Sequence, residues 1–414
     1  MFEWSDNDVM MRDAVRSFID REVRPHLDEL ESGDLSPYPI ARKLFSDFGL
    51  DVMAAEAVKS MLDKDRAKQG AAAASDSSGG GLGGLAGQAS LLVAMISELA
   101  GVSIGLISTF GVSIGLGAGT IMSRGTLAQK ERWLPSLMTF EKVAAWAITE
   151  PDAGSDAFGG MKTTVRRDGS DYVLNGQKTF ITNGPAADVL VVYAKLDDGD
   201  GADTRSRPVL TFVLEAGMPG LTQGKPFKKM GMMSSPTGEL FFDDVRLTPD
   251  RLLGETERHE GGDGRDSARA NFVAERLGIA AMSLGIITEC QRLCVDYART
   301  RTLWGQEIGQ FQLIQLKLAK MEVARINAQN MVFQTLERMK AGKPPGLGEA
   351  SAIKWYSSEA ATEVAMEAVQ LFGGNGYMAE YRVEQLARDA KSLMIYAGSN
   401  EVQITHVAKA LLAD

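Results

Sequence analysis

Cysteine and histidine are both scarce in this chain of 414 residues, with two of the first and three of the second. Cys290 and Cys294 fall four apart in a helical pattern, too few for a disulfide framework and too few ligands for a structural zinc. They read as reduced core residues. His26, His259 and His406 leave little material for a histidine-based metal site or a catalytic triad. No metal is expected, and carboxylates become the favoured acid–base groups. Long Lys/Arg runs are lacking too: 44 basic against 54 acidic side chains give a net charge of −10, which argues against a phosphate-tracking surface and hence a nucleic-acid partner.

The opening stretch, MFEWSDNDVMMRDAVRSFIDREV, has neither the basic start and apolar centre of a secretory leader nor the acid-poor character of a transit peptide, so a cytoplasmic location is the expectation. One uncharged run, Leu99 to Met122, is long enough to cross a bilayer. Its glycines at 101, 105, 111, 115, 117 and 119, mixed with serines and threonines, suit tightly packed buried helices better, and no stable membrane insertion is expected.

What is present divides into three parts, an α+β chain with an N-terminal helical domain (residues 1–145), a middle antiparallel β-domain (146–248) and a C-terminal helical bundle (249–414). Ser5 is a candidate N-cap, Val15, Phe18, Ile19 and Val23 share one helical face, and Pro25 closes that helix. The segment AKQGAAAASDSSGGGLGG, residues 67–84, has too little apolar material to hold a fixed position and reads as a mobile surface excursion. Gly115-Leu116-Gly117-Ala118-Gly119 resembles a dinucleotide fingerprint only superficially, because no strand precedes it. In the middle part YVLNGQKTFIT reads as two strands turning at Asn175-Gly176. Val189–Leu196, Val209–Leu214 and Glu239–Val245 supply further strands, in sequential antiparallel order. After an acidic, Gly-rich loop, helices are expected at 268–300, 312–341, 348–372, 380–393 and 400–412. Gly373-Gly374 ends one of them, and Ser399 or Asn400 caps the last.

At the join of the first two parts stands AWAITEPDAGSDAFGG, and with YVLNGQKTFITNG, ARTRTLWGQEIGQFQLIQ, QLFGGNGY and IYAGSNEVQ it resembles the acyl-CoA dehydrogenase family over roughly residues 120–410. An isoalloxazine needs hydroxyl and backbone donors along its polar edge and apolar cover on its faces. The resemblance implies FAD, with Trp146, Ile148, Thr149, Ser155, Phe180 and Thr182 lining it. Phe180 departs from the commoner tryptophan. It further implies that Arg301 reaches the FAD pyrophosphate of a neighbouring subunit, with Gln312, Gln370, Gly373, Gly374, Ser399 and Glu401 completing the cofactor set. Ser155, Arg276, Tyr396 and Gly398 fall at substrate positions. A homotetramer, an acyl-CoA substrate and an electron-transfer flavoprotein as partner follow from the same likeness.

The base is the point of departure. Removing the α-proton of an acyl-CoA needs a carboxylate, and most of the family carries a glutamate after the tyrosine of the IYxG motif, where this chain has Ala397. Glu275, in NFVAERLGIAA, falls at the position that serves in the isovaleryl-CoA and long-chain members. Helical register sets it on one stripe with Ile279 and Met282. Read from the residues alone, Glu275 is better taken as a surface glutamate or a partner of Arg276 or Arg301; the coincidence of Ala397 with Glu275 reverses that in favour of the base. The alternatives are an acyl-CoA oxidase on the same fold and an inactive subunit that only binds FAD or CoA ester.

Overall fold

A computed structural model describes residues 3–70, 89–197, 199, 201, 203–259 and 262–413. The N-terminal part is helical: α1 (Asp6–Phe18), α2 (Leu27–Ser32), α3 (Pro37–Asp47), α4 (Leu50–Gly70), α5 (Ala89–Ala100), α6 (Ile104–Phe110), α7 (Gly119–Arg124) and α8 (Leu127–Met138). Ser5 caps α1 through a reciprocal capping box, its hydroxyl accepting from the Asp8 N–H and the Asp8 carboxylate accepting from the Ser5 N–H. Val15, Phe18, Ile19 and Val23 are buried, as their spacing requires. The helix does not run unbroken to Pro25: it widens into a π turn over Ile19–Val23 and then a 3₁₀ turn, Arg24–His26. A proline lacks the N–H and crowds the carbonyl four residues back, so the helical ladder loosens ahead of it. Of the segment expected to be mobile, 67–70 finish α4 and the remainder lies outside the described residues.

The uncharged run becomes α6, a π-helical passage Gly111–Ala118 and α7. The stretch Ile104–Arg124 is apolar and long enough to cross a membrane, and 72% of its most hydropathic window is buried inside the protein. Some of its glycines serve packing, since a Cβ on Gly105 would sit 2.3 Å from Ser234 Oγ and one on Gly117 2.6 Å from the Ala144 methyl, whereas at Gly111 and Gly115 it would meet open space.

Seven strands build the middle sheet: β1 (Ala144–Ala147), β2 (Thr164–Asp168), β3 (Asp171–Thr182), β4 (Val189–Leu196), β5 (Val209–Glu215), β6 (Leu221–Gln223) and β7 (Thr237–Leu247). Their spatial order is β1-β4-β2-β3-β7-β6, with β5 on β4. Two expectations are corrected here. The sheet is mixed, because β1 and β2 both pair parallel to β4. Asn175-Gly176 is also not a turn but the interior of one long strand, β3; the β2–β3 hairpin turns instead at Gly169-Ser170. Gly176 is needed for a bulge against β7: its φ is 143°, and a Cβ would lie 2.6 Å from Thr163 Oγ1.

The C-terminal part holds α9 (Gly264–Thr300), a small hairpin β8 (Thr302–Leu303) and β9 (Gln306–Glu307), then α10 (Gln312–Lys340), α11 (Leu347–Phe372), α12 (Val383–Leu393) and α13 (Asn400–Leu411). Gly373, at φ 62°, ends α11. Cys290 and Cys294 are free thiols buried in α9.

The long α9 positions the site, and it crosses α5 at backbone contact. A Cβ on Gly285 would stand 2.1 Å from the Ser97 carbonyl oxygen, and one on Gly101 would stand 3.0 Å from Glu289 Cβ. Replacing a mid-helix glycine by alanine ordinarily stabilises by up to ~1 kcal/mol. Here the clash is with backbone and decides the sign: Gly285→Ala is expected to destabilise by about 1–3 kcal/mol in denaturant unfolding. An unchanged or raised midpoint would contradict this close crossing.

Candidate active site

Three groups of residues assemble from separate parts of the chain. The first lies on β1, β3 and the loop after β1. The Trp146 indole N–H is shared between Thr120 Oγ1 and the Tyr193 hydroxyl, both at 3.2 Å, and its ring meets Tyr193 and Phe272 edge-on, with centroids 5.5 and 6.3 Å apart. Asn271 Nδ2 donates to the same Thr120 hydroxyl at 3.0 Å. Ile148 is buried, and the Thr149 carbonyl accepts from the Thr179 N–H at 2.9 Å. Thr182 is half-buried and Ser155 exposed. Phe180 is 66% exposed in a left-handed conformation, φ 58°, beside the Phe227 ring. A fully buried ion pair anchors this group from below: Lys178 Nζ donates to Glu150 at 2.8 Å and to the Ile148 carbonyl at 3.0 Å, while Glu150 accepts the N–H groups of Lys162 and Thr163. Burial lowers the Lys178 ammonium to about 8 against the pull of Glu150.

The second group surrounds Glu275 on α9. Phe272, one turn before it, touches Trp146 and lies beneath the Arg276 guanidinium at 5.7 Å, so the indole of the first group and the guanidinium of the second are linked through one ring. Arg276 is buried and donates to Ser351 Oγ on α11 at 3.0 Å. The Glu275 carboxyl is pushed up to about 7 by burial, opposed by the charges of Arg276 and Lys354. Opposite it runs the turn after α12. Tyr396 reaches Met282, its hydroxyl 3.6 Å from the sulfur, and feels the Glu275 charge. Ala397 and Gly398 follow at φ 59° and 82°. Ile279 is buried and Met282 partly so, as the helical stripe requires. Arg301 is excluded as the partner of Glu275: 26 residues along a continuous helix is about 39 Å at about 1.5 Å per residue.

The third group gathers where α9, α10 and α11 meet. Arg301 follows the end of α9, Gln312 opens α10, and Gln370, Gly373 and Gly374 lie at the end of α11, all exposed. The Tyr297 ring stacks on Phe372 at 4.0 Å and its hydroxyl accepts from Asn375 at 3.0 Å, which ties these helix ends together. Around them stand exposed apolar side chains, among them Trp304, Leu313, Leu316 and Tyr377. Ser399 stands at the N-cap of α13, without a side-chain cap hydrogen bond, and Glu401 lies in its first turn.

The chain matches, in order, the acyl-CoA dehydrogenase N-terminal domain over residues 70–141, the middle domain over 145–245 and the C-terminal domain over 262–412. It is 38% identical to the short-chain specific acyl-CoA dehydrogenase of Megasphaera elsdenii over 80% of this chain and 84% of that one. It is 37% identical to the mitochondrial isovaleryl-CoA dehydrogenase of Pongo abelii, over 81% and 76%, and 32% identical to the caffeyl-CoA reductase-Etf complex subunit CarC of Acetobacterium woodii, over 99% of each. Butyryl-CoA dehydrogenase from M. elsdenii superposes over the full length of both chains with a TM-score of 0.84 and 33% identity. The chain belongs to the acyl-CoA dehydrogenase family.

Members of this family are FAD-dependent oxidoreductases, and the residues present fit that cofactor. The first group offers aromatic faces at Trp146 and Phe180 beside hydroxyls at Thr149, Ser155 and Thr182. In the third group the Arg301 side chain makes no ion pair among the described residues, and a Cβ at Gly373 or Gly374 would meet open space. Gly373 is required by its φ, but nothing within the chain crowds Gly374. That suits close approach of something from outside. Sequence reading missed Thr120, Tyr193, Phe272 and Lys354, whose importance comes from contacts across domains; Lys178 lay in a quoted motif, but its partner Glu150 is 28 residues away.

The raised Glu275 carboxyl has a sign for stability. Its folded value near 7 stands above its ordinary value of 4.5, so its contribution is fully present below about 4.5 and is lost as pH rises through 7. Glu275→Gln removes this dependence. The variant should match the parent at pH 4.5 and exceed it at pH 8 by on the order of 1–3 kcal/mol, checked by denaturant unfolding at both values. Equal stability at pH 8 would show that the carboxyl is not desolvated.

Proposed function

We propose that this chain oxidises an acyl-CoA thioester to the trans-2-enoyl-CoA, with Glu275 taking the α-proton as the β-hydride leaves, and that an electron-transfer flavoprotein receives the electrons. Bound FAD supplies the hydride acceptor. The observation that carries the reading is the raised carboxyl of the half-buried Glu275, one helical turn after Trp146's neighbour Phe272 and within electrostatic reach of Tyr396 in the 396–398 turn, where Ala397 offers no acid–base group. A carboxyl near 7 accepts a proton at neutral pH and can release it again. Arg276, which donates to Ser351, sets a buried cation beside the base and favours its ionised form.

The exposed third group supports a cofactor site completed by a second copy. Arg301, the glycines and the surrounding apolar side chains form a surface that suits burial against another subunit, in keeping with a homotetramer. The electron-transfer partner is supported by the relative whose name places it in an Etf complex.

Glu275→Gln should retain fold, flavin and acyl-CoA binding while slowing anaerobic flavin reduction at least ~10²-fold, the lower end for a positioned acid–base group. Ala397→Glu in that background should restore part of the rate. Rapid bleaching by the Glu275→Gln protein would remove Glu275 as base, and a wild-type flavin that no acyl-CoA bleaches would indicate a subunit that only binds.

A further inference from the structure

Lys354, on α11, has no solvent exposure. Its ammonium donates to the Gly398 carbonyl and to Asn400 Oδ1, each at 2.9 Å. Ser358, one turn further along α11, donates to the same Asn400 oxygen, and Ser351, one turn earlier, holds Arg276. One stripe of α11 therefore grips both sides of the site, the helix that carries Glu275 and the turn that faces it.

That turn needs holding. Two consecutive residues, Ala397 and Gly398, have positive φ, which is strained for a residue with a Cβ. Gln403 Nε2 supplies two donors, to the Ala397 carbonyl at 3.1 Å and the Gly398 carbonyl at 2.7 Å. Lys354 supplies the other. Two amide oxygens would be served equally by a neutral donor, and burying an ammonium is unfavourable without a compensating charge. The compensating charge nearby is the candidate base, supported by Glu401 and Glu359; Arg276 opposes it.

We infer that Lys354 is the positioning residue of this site: its hydrogen bonds fix the 396–400 turn opposite Glu275, and its charge favours the ionised form of the base against burial. The second half rests on Glu275 being the base; the first does not. The groups that face Glu275 are Arg276 from its own helix, Lys354 from α11 and Tyr396 from the turn. Burial sets the Glu275 carboxyl high, and Lys354 and Arg276 bring it down. Removing one of the two cations therefore raises it further.

The test compares Lys354→Gln, which keeps a donor and loses the charge, with Lys354→Met, which loses both, in flavin-loaded protein. Hydrogen exchange of the 394–400 backbone reads the pin, and the pH dependence of anaerobic flavin reduction by an acyl-CoA reads the charge. Lys354→Met should lose protection in the turn by ~10-fold or more while Lys354→Gln keeps most of it, and the acid limb of the rate should move to higher pH in both. Unchanged exchange in Lys354→Met, or an unmoved limb in both variants, overturns the inference. If Glu275→Gln keeps wild-type flavin reduction, the base assignment fails alone, and the exchange comparison still decides whether Lys354 holds the turn.

Discussion

Burial raises the Glu275 carboxyl while Arg276 and Lys354 pull it down, and this opposition places it near 7. A carboxylate left in water would be too weak a base at its ordinary pKa. One buried with no cation nearby would stay protonated. The two cations are themselves buried, so neither is free to screen itself with solvent, and each needs acceptors from the fold: Ser351 for Arg276, the Gly398 carbonyl and Asn400 for Lys354. These bonds tie α9, α11 and the start of α13 to one another.

The same constraint reaches into the middle domain. Phe272 lies between Arg276 and Trp146, and the Trp146 indole is fixed by Thr120 and Tyr193, so β1, β4, α7 and α9 converge on one aromatic contact. Below it the Lys178–Glu150 pair ties the bulged end of β3 to the loop after β1. The strand proposed to line the flavin and the helix that carries the proposed base come from different matched domains and are thus joined through one aromatic contact, as preorganised proton removal would require.

Much of this was legible in the chain. Helices in the C-terminal part end close to where apolar periodicity and Gly373 place them, and Ser5 caps α1 as its position suggests. The family motifs led to Glu275 and the 396–398 turn, and in the structure Tyr396 of that turn feels the Glu275 charge. What could not be read depends on distant partners. Gly176 looked like a hairpin because Asn-Gly is a strong local signal, yet Thr163, thirteen residues earlier, needs the space its side chain would fill. The parallel pairing of β1 and β2 with β4 leaves no local trace, since each strand alone has the same alternation in either direction. Lys354 carried no signal at all: its acceptors lie 44 and 46 residues downstream.

The central claim is that Glu275 removes the proton, and it is tested most directly where no hydride can leave. Acetyl-CoA has α hydrogens and no β carbon, so exchange of its methyl hydrogens with D₂O on the flavin-loaded protein isolates proton removal from oxidation. The account predicts deuterium incorporation with the wild-type protein and none above background with Glu275→Gln. Exchange by Glu275→Gln at the wild-type rate would contradict it.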